Sequence, residues 1–268
     1  MTRVSDLGGE GRPRVRNAIV RPPSASMGEG LTTRALGFPD LETARAQHRA
    51  YTEALEREGL RVRRLPSAPS FPDSQFVEDT AVLHGGVAIL TRPGAQPRRA
   101  EVELIRPVLE REMEVRELGP DPDATLDGGD VLIAGRHAMI GISKRTNRAG
   151  GRLLAERLRE VDPGLDVRLV PFDGPLHLKS GLTALRPDVY VMDPALRLRA
   201  ELPAPVRTLP ATEGYAANVL PINDALFVLA GSPTIVELGR AHAERAVPLD
   251  LSEFRKMDGS LTCLSLLW

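Results

Sequence analysis

The sequence predicts an α/β protein that forms one domain from a series of similar small units. Segments with the two-residue alternation of β-strands and segments with the spacing of amphipathic helices recur as strand pair, helix, strand and helix, about five times along the chain. The chain lacks a glycine-rich phosphate-binding loop, and its middle lacks a linker rich in proline and serine. With 268 residues, 42% of them hydrophobic, it is long enough to bury a core of normal size.

The first elements expected are a tail, a strand, a loop and a helix. Residues 1–16 are expected to form a flexible tail, and residues 17–21 (NAIVR) a short strand at the start of a single domain that extends to residue 268. Residues 22–33 (PPSASMGEGLTT) show no periodicity, which fits a binding lid and simple disorder equally well. Asp40 is expected to cap the helix that follows, and Gly59 to end it.

The remaining elements follow from the same patterns. Strands are expected at residues 60–65, 75–83, 87–91, 130–133, 138–143, 167–170, 189–192, 225–230 and 262–267. Helices are expected from about residue 98, after Asn147 as the capping residue, and near residues 180–186, 212–219, 234–245 and 252–257. The alternation of these elements is typical of an α/β domain.

Charge and composition exclude several classes of function. The 35 basic and 36 acidic residues give a net charge of −1, so the chain has no general attraction for nucleic acid or an anionic membrane. No apolar run approaches the roughly 20 residues that span a bilayer, and the N-terminus lacks the apolar core of a signal peptide. A single cysteine forms neither an internal disulfide nor a cysteine-based metal site, which favours the cytoplasm.

Two adjacent carboxylates, Glu78 and Asp79, interrupt the apolar segment PDSQFVEDT. In the expected strand they would point to opposite faces, and an exposed edge strand would accommodate only one of them easily. A buried carboxylate costs several kcal/mol unless a cation or hydrogen-bond donors satisfy it. A bound cation would therefore account for the pair, although a structural role is equally compatible with this stretch alone.

The segment TLDGGDVL places Asp127 and a second carboxylate on either side of a Gly-Gly pair. A hairpin turn would explain the composition, and so would an aspartate that orients a catalytic histidine. Any single histidine is more often structural than catalytic. Of the five histidines, His177 is the best candidate, because it lies at a junction between a strand and a helix, where it would have access to a cleft. Arg98 and Arg145 are expected near helix starts, where a solvated arginine is the more common interpretation. The helix dipole disfavours cations there, and this mismatch hints at an anionic ligand.

The only cysteine, Cys263, is expected at the start of the last strand, just after the turn at Asp258. A lone cysteine in an apolar strand is usually a small buried hydrophobic residue. Nucleophilic catalysis would require a lowered pKa or a neighbouring base, and sequence spacing does not provide either. Both interpretations remain open on these residues alone.

Taken together, these segments resemble the dimethylarginine dimethylaminohydrolase family of the guanidino-modifying pentein superfamily. The stretches that carry the resemblance are PDSQFVEDTAVL, AILTRPGAQPRRAEV, ATLDGGDVL, GISKRTNRAG, GPLHLKS and KMDGSLTC. They occur in the family's order from about residue 17 to the C-terminus. The resemblance implies a five-bladed propeller of ββαβ-type units with pseudo-fivefold arrangement around a central site, which agrees with the recurring order of elements.

The resemblance also implies a reaction, the hydrolysis of Nω-methylated arginine to citrulline and dimethylamine or methylamine through a covalent S-alkylthiouronium on cysteine. It implies that Cys263 is the nucleophile, His177 the general acid and base, and Asp127 the residue that orients the histidine. The substrate-binding residues it implies are Asp73 for the α-amino group, Arg98 and Arg145 for the α-carboxylate, Asp79, Glu78 and Asp258 around the guanidinium, and Leu31 in the lid.

Neither a metal nor a cofactor is implied, and the expected partner is a small guanidino amino acid bound by a monomer or homodimer. Related arginine deiminases commonly carry His-x-Asp, whereas this chain reads His177-Leu178-Lys179. The missing carboxylate would leave room for N-methyl groups and so favours methylated arginine over arginine. The alternatives are a hydrolase or deiminase of another arginine-like guanidine, and a non-catalytic guanidine-binding protein of the same fold.

Overall fold

The computed structural model describes residues 14–268, which alternate between short strands and helices. The strands are β1 Asn17–Val20, β2 Arg61–Arg64, β3 Ala81–His84, β4 Val87–Leu90, β5 Glu114–Glu117, β6 Val131–Ala134, β7 His137–Ile142, β8 Asp166–Asp173, β9 Leu182–Arg186, β10 Val189–Met192, β11 Arg197–Leu198, β12 Val206–Thr208, β13 Leu220–Ile222, β14 Ala225–Leu229, β15 Arg245–Leu249 and β16 Leu266–Leu267. The helices are α1 Leu41–Arg57, α2 Glu101–Leu109, α3 Arg148–Val161, α4 Leu178–Gly181, α5 Pro233–His242 and α6 Ser252–Arg255. Short 3-10 turns occur at Met27–Glu29, Val77–Thr80, Gln96–Arg98, Gly128–Asp130, Ala211–Ala217 and Thr262–Leu264.

Five sheets are present within residues 14–268, and each joins an antiparallel pair to a parallel strand. The strand orders are β16-β1-β2, β3-β4-β5, β6-β7-β8-β11, β9-β10-β12 and β13-β14-β15. A parallel connection needs a crossover, and helices α1, α2, α3 and α5 provide it in four of the sheets. This repeated unit confirms the α/β class and the recurring order of strands and helices.

Helix starts are where the sequence pattern is most informative. The side chain of Asp40 accepts a hydrogen bond from Thr43 N at 2.8 Å, and that of Asn147 accepts one from Gly150 N at 2.8 Å. These bonds satisfy backbone N–H groups that the first turn of a helix leaves without a partner. Both predicted caps are confirmed, and Gly59 adopts the left-handed φ of +85° just beyond α1.

Three predicted elements are wrong. The strand expected at residues 75–83 begins only at Ala81, because residues 77–80 form a 3-10 turn. The helix expected at 180–186 is one turn, α4, followed by strand β9, and the strand expected at 262–267 begins with a 3-10 turn. Pairing with distant strands and hydrogen bonds to distant side chains override the local patterns there.

The two ends of the described chain lie in one sheet. The C-terminal strand β16 pairs antiparallel with β1, and Arg16 N donates a hydrogen bond to Trp268 O at 2.8 Å. Residues 1–13 of the expected tail lie outside the described residues, whereas Val15 N donates to the Asn223 side chain at 2.9 Å. None of the helices between residues 14 and 268 has both the length and the apolar character needed to cross a membrane.

Candidate active site

A histidine between two carboxylates is the centre of the site. His177 Nε2 lies 2.9 Å from Asp127 Oδ2 and 4.0 Å from Asp79 Oδ1. The other Asp127 oxygen accepts a hydrogen bond from Gly94 N at 2.8 Å, and the other Asp79 oxygen forms an ion pair with Arg98. All of these side chains are buried, so the arrangement holds the imidazole in one orientation.

The Gly-Gly pair that follows Asp127 lets three segments approach closely. A Cβ at Gly128 would lie 2.0 Å from the carbonyl oxygen of Glu78, and one at Gly129 would lie 2.7 Å from His177 Nδ1. Gly129 N also donates a hydrogen bond to Asp79 Oδ1 at 2.9 Å. Neither glycine has a positive φ, so the turn geometry of a hairpin does not require them. Glycine is required here because neighbouring atoms leave no room for a Cβ.

The charges of the cluster determine its protonation. Burial alone would lower the pKa of His177, but the negative charges of Asp79, Asp127 and Asp130 outweigh burial and raise that pKa to about 9. Burial would likewise raise the pKa of Asp79, but His177 and Arg98 overcome this and lower it to about 2. At neutral pH the site therefore contains an imidazolium ion close to the ionised carboxylate of Asp79.

Arg98 is buried and is committed mainly to neighbouring carboxylates. Its Nη1 pairs with Asp79, its Nη2 donates to Glu101 at 2.7 Å, and its Nη2 also donates to the carbonyl oxygen of Phe76 at 3.0 Å. Arg98 is thus one of the cations that compensate Asp79. Its expected contact with a substrate carboxylate remains a prediction, because most of its N–H groups already have partners.

Cys263 lies in the 3-10 turn Thr262–Leu264, where its half-buried thiol accepts a hydrogen bond from Ser260 N at 3.4 Å. The preceding turn needs unusual backbone geometry, since Asp258 has a φ of +59° and a Cβ at Gly259 would lie 2.1 Å from the Phe76 ring. Burial, followed by the charges of Glu78 and Asp79, raises the pKa of the thiol above its ordinary value. The resting site therefore contains a neutral thiol.

One small cavity is lined by both Cys263 and His177. Seven predicted site residues line it, namely Leu31, Asp73, Arg98, Arg145, His177, Asp258 and Cys263. Asp79 and Asp127 lie directly behind His177 and are not part of the lining. Sequence reasoning missed the lining residues Phe76, Leu176, Met257 and Gly259, although each lies inside or beside a segment that the resemblance had already marked.

Asp79, Asp127 and His177 also offer ligand atoms that lie within 4.8 Å of one another, close enough to hold a metal ion. Each carboxylate oxygen already has a partner, because Asp79 accepts from Gly129 N and Arg98, and Asp127 accepts from Gly94 N and His177. The donor set therefore fits an ion-paired imidazolium better than a metal centre. The expected independence from metal remains a prediction.

Comparison with known proteins agrees with this geometry. A family model described as "N,N dimethylarginine dimethylhydrolase, eukaryotic" matches residues 40–176. The chain is 35% identical to the N(G),N(G)-dimethylarginine dimethylaminohydrolase of Pseudomonas aeruginosa, over 94% of this chain and 98% of that relative. The chain belongs to the dimethylarginine dimethylaminohydrolase family. A relative of the same name from Streptomyces coelicolor is 37% identical over 93% of this chain and 96% of its own length.

The fold agrees with this membership of the dimethylarginine dimethylaminohydrolase family. A solved structure of the Pseudomonas aeruginosa family member, a cysteine-to-serine variant complexed with citrulline, matches this chain with a TM-score of 0.88 at 34% sequence identity. The match covers 95% of this chain and 100% of that one. The α/β architecture described above is therefore that of the dimethylarginine dimethylaminohydrolases.

A loop closes the cavity of this dimethylarginine dimethylaminohydrolase family member from the outside. Leu31 N donates hydrogen bonds to both carboxylate oxygens of Asp73 at 3.1 Å, and Thr33 Oγ1 and Arg34 Nε donate to Asp258 at 3.1 and 2.8 Å. The region expected to be a lid is thus attached to two of the predicted substrate-binding residues. Leu31 itself is 38% exposed.

Glu78 does not line this cavity. Its carboxylate forms an ion pair with Lys179 Nζ at 2.6 Å and accepts a hydrogen bond from Thr262 Oγ1 at 2.9 Å, and all three residues line a second cavity. The expected contact between Glu78 and substrate is therefore not supported by its position, because its oxygens are engaged by Lys179 and Thr262, which line the second cavity. The cation that compensates Glu78 is a lysine of the chain itself.

Proposed function

We propose that this chain hydrolyses asymmetric dimethylarginine or monomethylarginine to citrulline and dimethylamine or methylamine. The proposal rests chiefly on one observation, that Cys263 and His177 line the same small cavity while Asp127 and Asp79 contact the imidazole from behind. It also draws on the name of the relatives and on the citrulline complex of the Pseudomonas aeruginosa family member. Citrulline is the amino acid product that this reaction would form.

Arg145 is the residue best placed to hold the α-carboxylate of the substrate. It lines the cavity, and its Nη1 atom is buried with no hydrogen-bond partner within the described residues. A buried donor without a partner is unfavourable, and a ligand carboxylate would satisfy it. Asp73, whose oxygens already face the lid, would accept the α-amino group, while Leu31 and Asp258 would close the cavity over the bound substrate.

The resting charges explain how a neutral thiol would become a nucleophile. Glu78 and Asp79, whose charges disfavour the thiolate, would favour a guanidinium cation beside Cys263. That cation would stabilise the thiolate by Coulomb attraction in a poorly solvated site. The thiol proton would pass to solvent when the cation binds. A fixed, fully protonated guanidinium also keeps its central carbon electron-poor.

The thiolate of Cys263 would then add to the guanidinium carbon, and His177, present as imidazolium, would donate its proton to the departing methylated nitrogen. The amine leaves, and an S-alkylthiouronium remains on the sulfur. The neutral imidazole would next accept a proton from a water molecule that attacks the same carbon, which expels the thiolate and forms citrulline. Proton transfer by a placed histidine is typically worth about 10²–10⁴ in rate.

The position of Lys179 favours methylated arginine over the alternative guanidines. This residue occupies the place of the carboxylate in the His-x-Asp segment of arginine deiminases, and its ammonium group is turned away from the thiol cavity towards Glu78. No second carboxylate would then bind the methyl-bearing nitrogen of the substrate. A purely guanidine-binding role is less consistent with a cysteine and a histidine that line one cavity, and with a carboxylate that contacts the histidine.

We also propose how the five sheets are arranged, and in which compartment and oligomeric state the chain acts. The five sheets would close into a five-bladed propeller formed by residues 17–268, a proposal supported by contacts of β16 with β3, β6 with β9, β13 with β9, and α1 with β15. The chain would act on a small guanidino amino acid without metal or cofactor, as a monomer or homodimer in the cytoplasm. Its net charge of −1 and its single thiol support that setting.

The test is incubation of the purified chain with asymmetric dimethylarginine, monomethylarginine and arginine, with citrulline and the released amine measured separately. We expect equal amounts of citrulline and dimethylamine from asymmetric dimethylarginine, and much slower turnover of arginine. Cys263→Ser and His177→Asn are expected to abolish turnover, whereas His242→Asn, outside both cavities, serves as the control. Turnover by Cys263→Ser, or faster turnover of arginine, would refute the proposal.

A further inference from the structure

We infer that Asp130 is a positioning residue that holds the turn of Arg145 and the turn of His177 in a fixed relation, and so aligns substrate binding with proton transfer. Its carboxylate is completely buried and lines neither cavity. The roles of Arg145 and His177 in this inference rest on the proposed function. Asp130 itself would not touch the substrate.

The first connection of Asp130 leads to the turn that carries Arg145. Ser143 Oγ donates a hydrogen bond to Asp130 Oδ2 at 2.7 Å and accepts hydrogen bonds from Arg145 N at 2.9 Å and Thr146 N at 3.1 Å. Because the hydroxyl hydrogen points at the carboxylate, both lone pairs of the oxygen face the two backbone N–H groups. The direction of this single hydroxyl group thus determines the path of the turn from which the Arg145 side chain enters the cavity.

The same turn also reaches Asp127. Asp127 N donates a hydrogen bond to Thr146 Oγ1 at 3.1 Å, within a part of the chain where both residues are fully buried. Ser143 N also donates a hydrogen bond to Thr146 O at 2.9 Å, so Thr146 has a backbone support that does not depend on the Ser143 hydroxyl. The contact between Thr146 and Asp127 is therefore expected to persist when only that hydroxyl is removed.

The second connection of Asp130 leads directly to the histidine. Leu178 N donates a hydrogen bond to Asp130 Oδ1 at 2.9 Å, which fixes the peptide group that follows His177. His177 has an extended backbone and immediately precedes the short helix α4, so few local hydrogen bonds hold it. Gly141 provides the room for this contact, since a Cβ there would lie 2.9 Å from that of Leu178 and 3.1 Å from Asp130 Oδ1.

The chemistry of the connection requires a carboxylate. Burial raises the pKa of Asp130 to about 6, so at neutral pH it is ionised and both oxygens accept hydrogen bonds. In Asp130→Asn, one oxygen would still accept from Leu178 N, but the amide NH₂ would face Ser143 Oγ. The amide NH₂, Arg145 N and Thr146 N would then compete for the two lone pairs of Ser143 Oγ. One of the two backbone N–H groups would lose its acceptor.

Two variants separate the two connections. Ser143→Ala removes only the support of Arg145, so we expect KM for dimethylarginine to rise about 10-fold while kcat changes little, the size of one weakened charged hydrogen bond. Asp130→Asn disturbs both supports, so we expect a similar rise in KM together with a fall in kcat of about 10²-fold from misplacement of His177. Circular dichroism and thermal unfolding confirm that each variant is folded.

A substrate that lacks the α-carboxylate supplies the discriminating readout. With Nω,Nω-dimethylagmatine, Ser143→Ala should have the kcat/KM of the wild-type chain, because the Arg145 contact is not used, whereas Asp130→Asn should still lose kcat. Asp250→Asn and Ser252→Ala are matched controls, since this pair shares the Gln47 amide at 2.9 and 2.8 Å and lies outside both cavities. The controls should leave both substrates unaffected.

The kcat and KM of each variant, divided by those of the wild-type chain, test the role of Asp130. If the wild-type chain does not turn over dimethylarginine, the proposed function itself is wrong. If Asp130→Asn retains wild-type kcat and KM, Asp130 has no positioning role. If Asp130→Asn does not fold, Ser143→Ala decides, and equal losses of kcat/KM on dimethylarginine and dimethylagmatine overturn the inference. A loss confined to dimethylarginine supports it.

Discussion

The Nε2 atom of His177 lies 2.9 Å from Oδ2 of Asp127, and the two residues are separated by 50 positions in the chain. A fully buried carboxylate in contact with an imidazole favours the charged form of the ring, and here it acts together with Asp79. This relationship supports the proposed role of His177 as a proton donor in the resting state. It also makes the pair the most direct target for mutation.

Replacement of the orienting carboxylate should therefore affect proton transfer more than binding. For Asp127→Asn we expect kcat to fall by about 10²–10⁴ with a smaller change in KM, and the pKa of His177 to fall from about 9. Steady-state kinetics and an NMR titration of the histidine measure both effects. Asp166→Asn is the matched control, because Asp166 pairs with His137 at 3.2 Å outside both cavities. An unchanged kcat in Asp127→Asn would contradict the assignment.

The raised pKa of the Cys263 thiol predicts that its reactivity depends on the charge of the reagent. We expect neutral chloroacetamide to react slowly at pH 7 and faster as the pH rises, because burial, Glu78 and Asp79 disfavour the thiolate. Cationic chloroacetamidine should react at least about 10-fold faster at pH 7, since one cation in the cavity offsets about 1.4 kcal/mol of that cost.

Mass spectrometry of the intact chain follows this labelling directly. Because the sequence contains one cysteine, Cys263→Ser should take up neither reagent and provides the blank. Equal rates for the amide and the amidine would show that the carboxylates do not control the thiol.

Close packing at Gly129 predicts an unusually sensitive position. An added methyl group would lie 2.7 Å from His177 Nδ1 and 2.9 Å from Asp79 Oδ1, so Gly129→Ala should displace the imidazole and lower kcat by about 10²-fold. The strain should also lower the free energy of unfolding by about 1–3 kcal/mol. Kinetics and denaturant unfolding measure the two effects. Gly28→Ala, whose Cβ would meet no atom closer than 3.7 Å, should remain near wild type in both.

The ion pair between Lys179 and Glu78 predicts a strong dependence of one residue on the other. Lys179→Met leaves the buried Glu78 carboxylate without its cation, so we expect the free energy of unfolding to fall by about 3–5 kcal/mol. Addition of Glu78→Gln should restore much of this loss, because the uncompensated charge is then removed. Urea unfolding of the wild type, both single variants and the double variant gives the coupling energy, and additive effects would argue against the pair.

Local sequence patterns were sufficient for the outer parts of the molecule. The α/β class and the caps at Asp40 and Asn147 follow from periodicity and from hydrogen bonds between residues three positions apart. Such interactions lie within a single window of sequence, so a pattern is able to reveal them. The resemblance of several segments to one family likewise depended only on their order along the chain.

Local patterns did not predict the 3-10 turns at residues 77–80 and 262–264. Residues 77–80 alternate like a strand, yet Asp79 accepts a hydrogen bond from Gly129 N, and Thr262 donates to Glu78 across 184 positions. The same segment LTALR that suggested a helix near 180–186 forms β9 because β10 pairs with it. Local propensity is weak compared with these long-range bonds.

The sequence by itself thus determined which chemical groups this protein has and which kind of elements carry them. Only the tertiary structure decided that Glu78 pairs with Lys179 outside the thiol cavity, that Arg98 compensates Asp79, and that the Gly-Gly pair serves close packing. The physical reason is that a buried charge is stable only beside its partners. Those partners are brought together by the packing of the five sheets and not by their spacing along the chain.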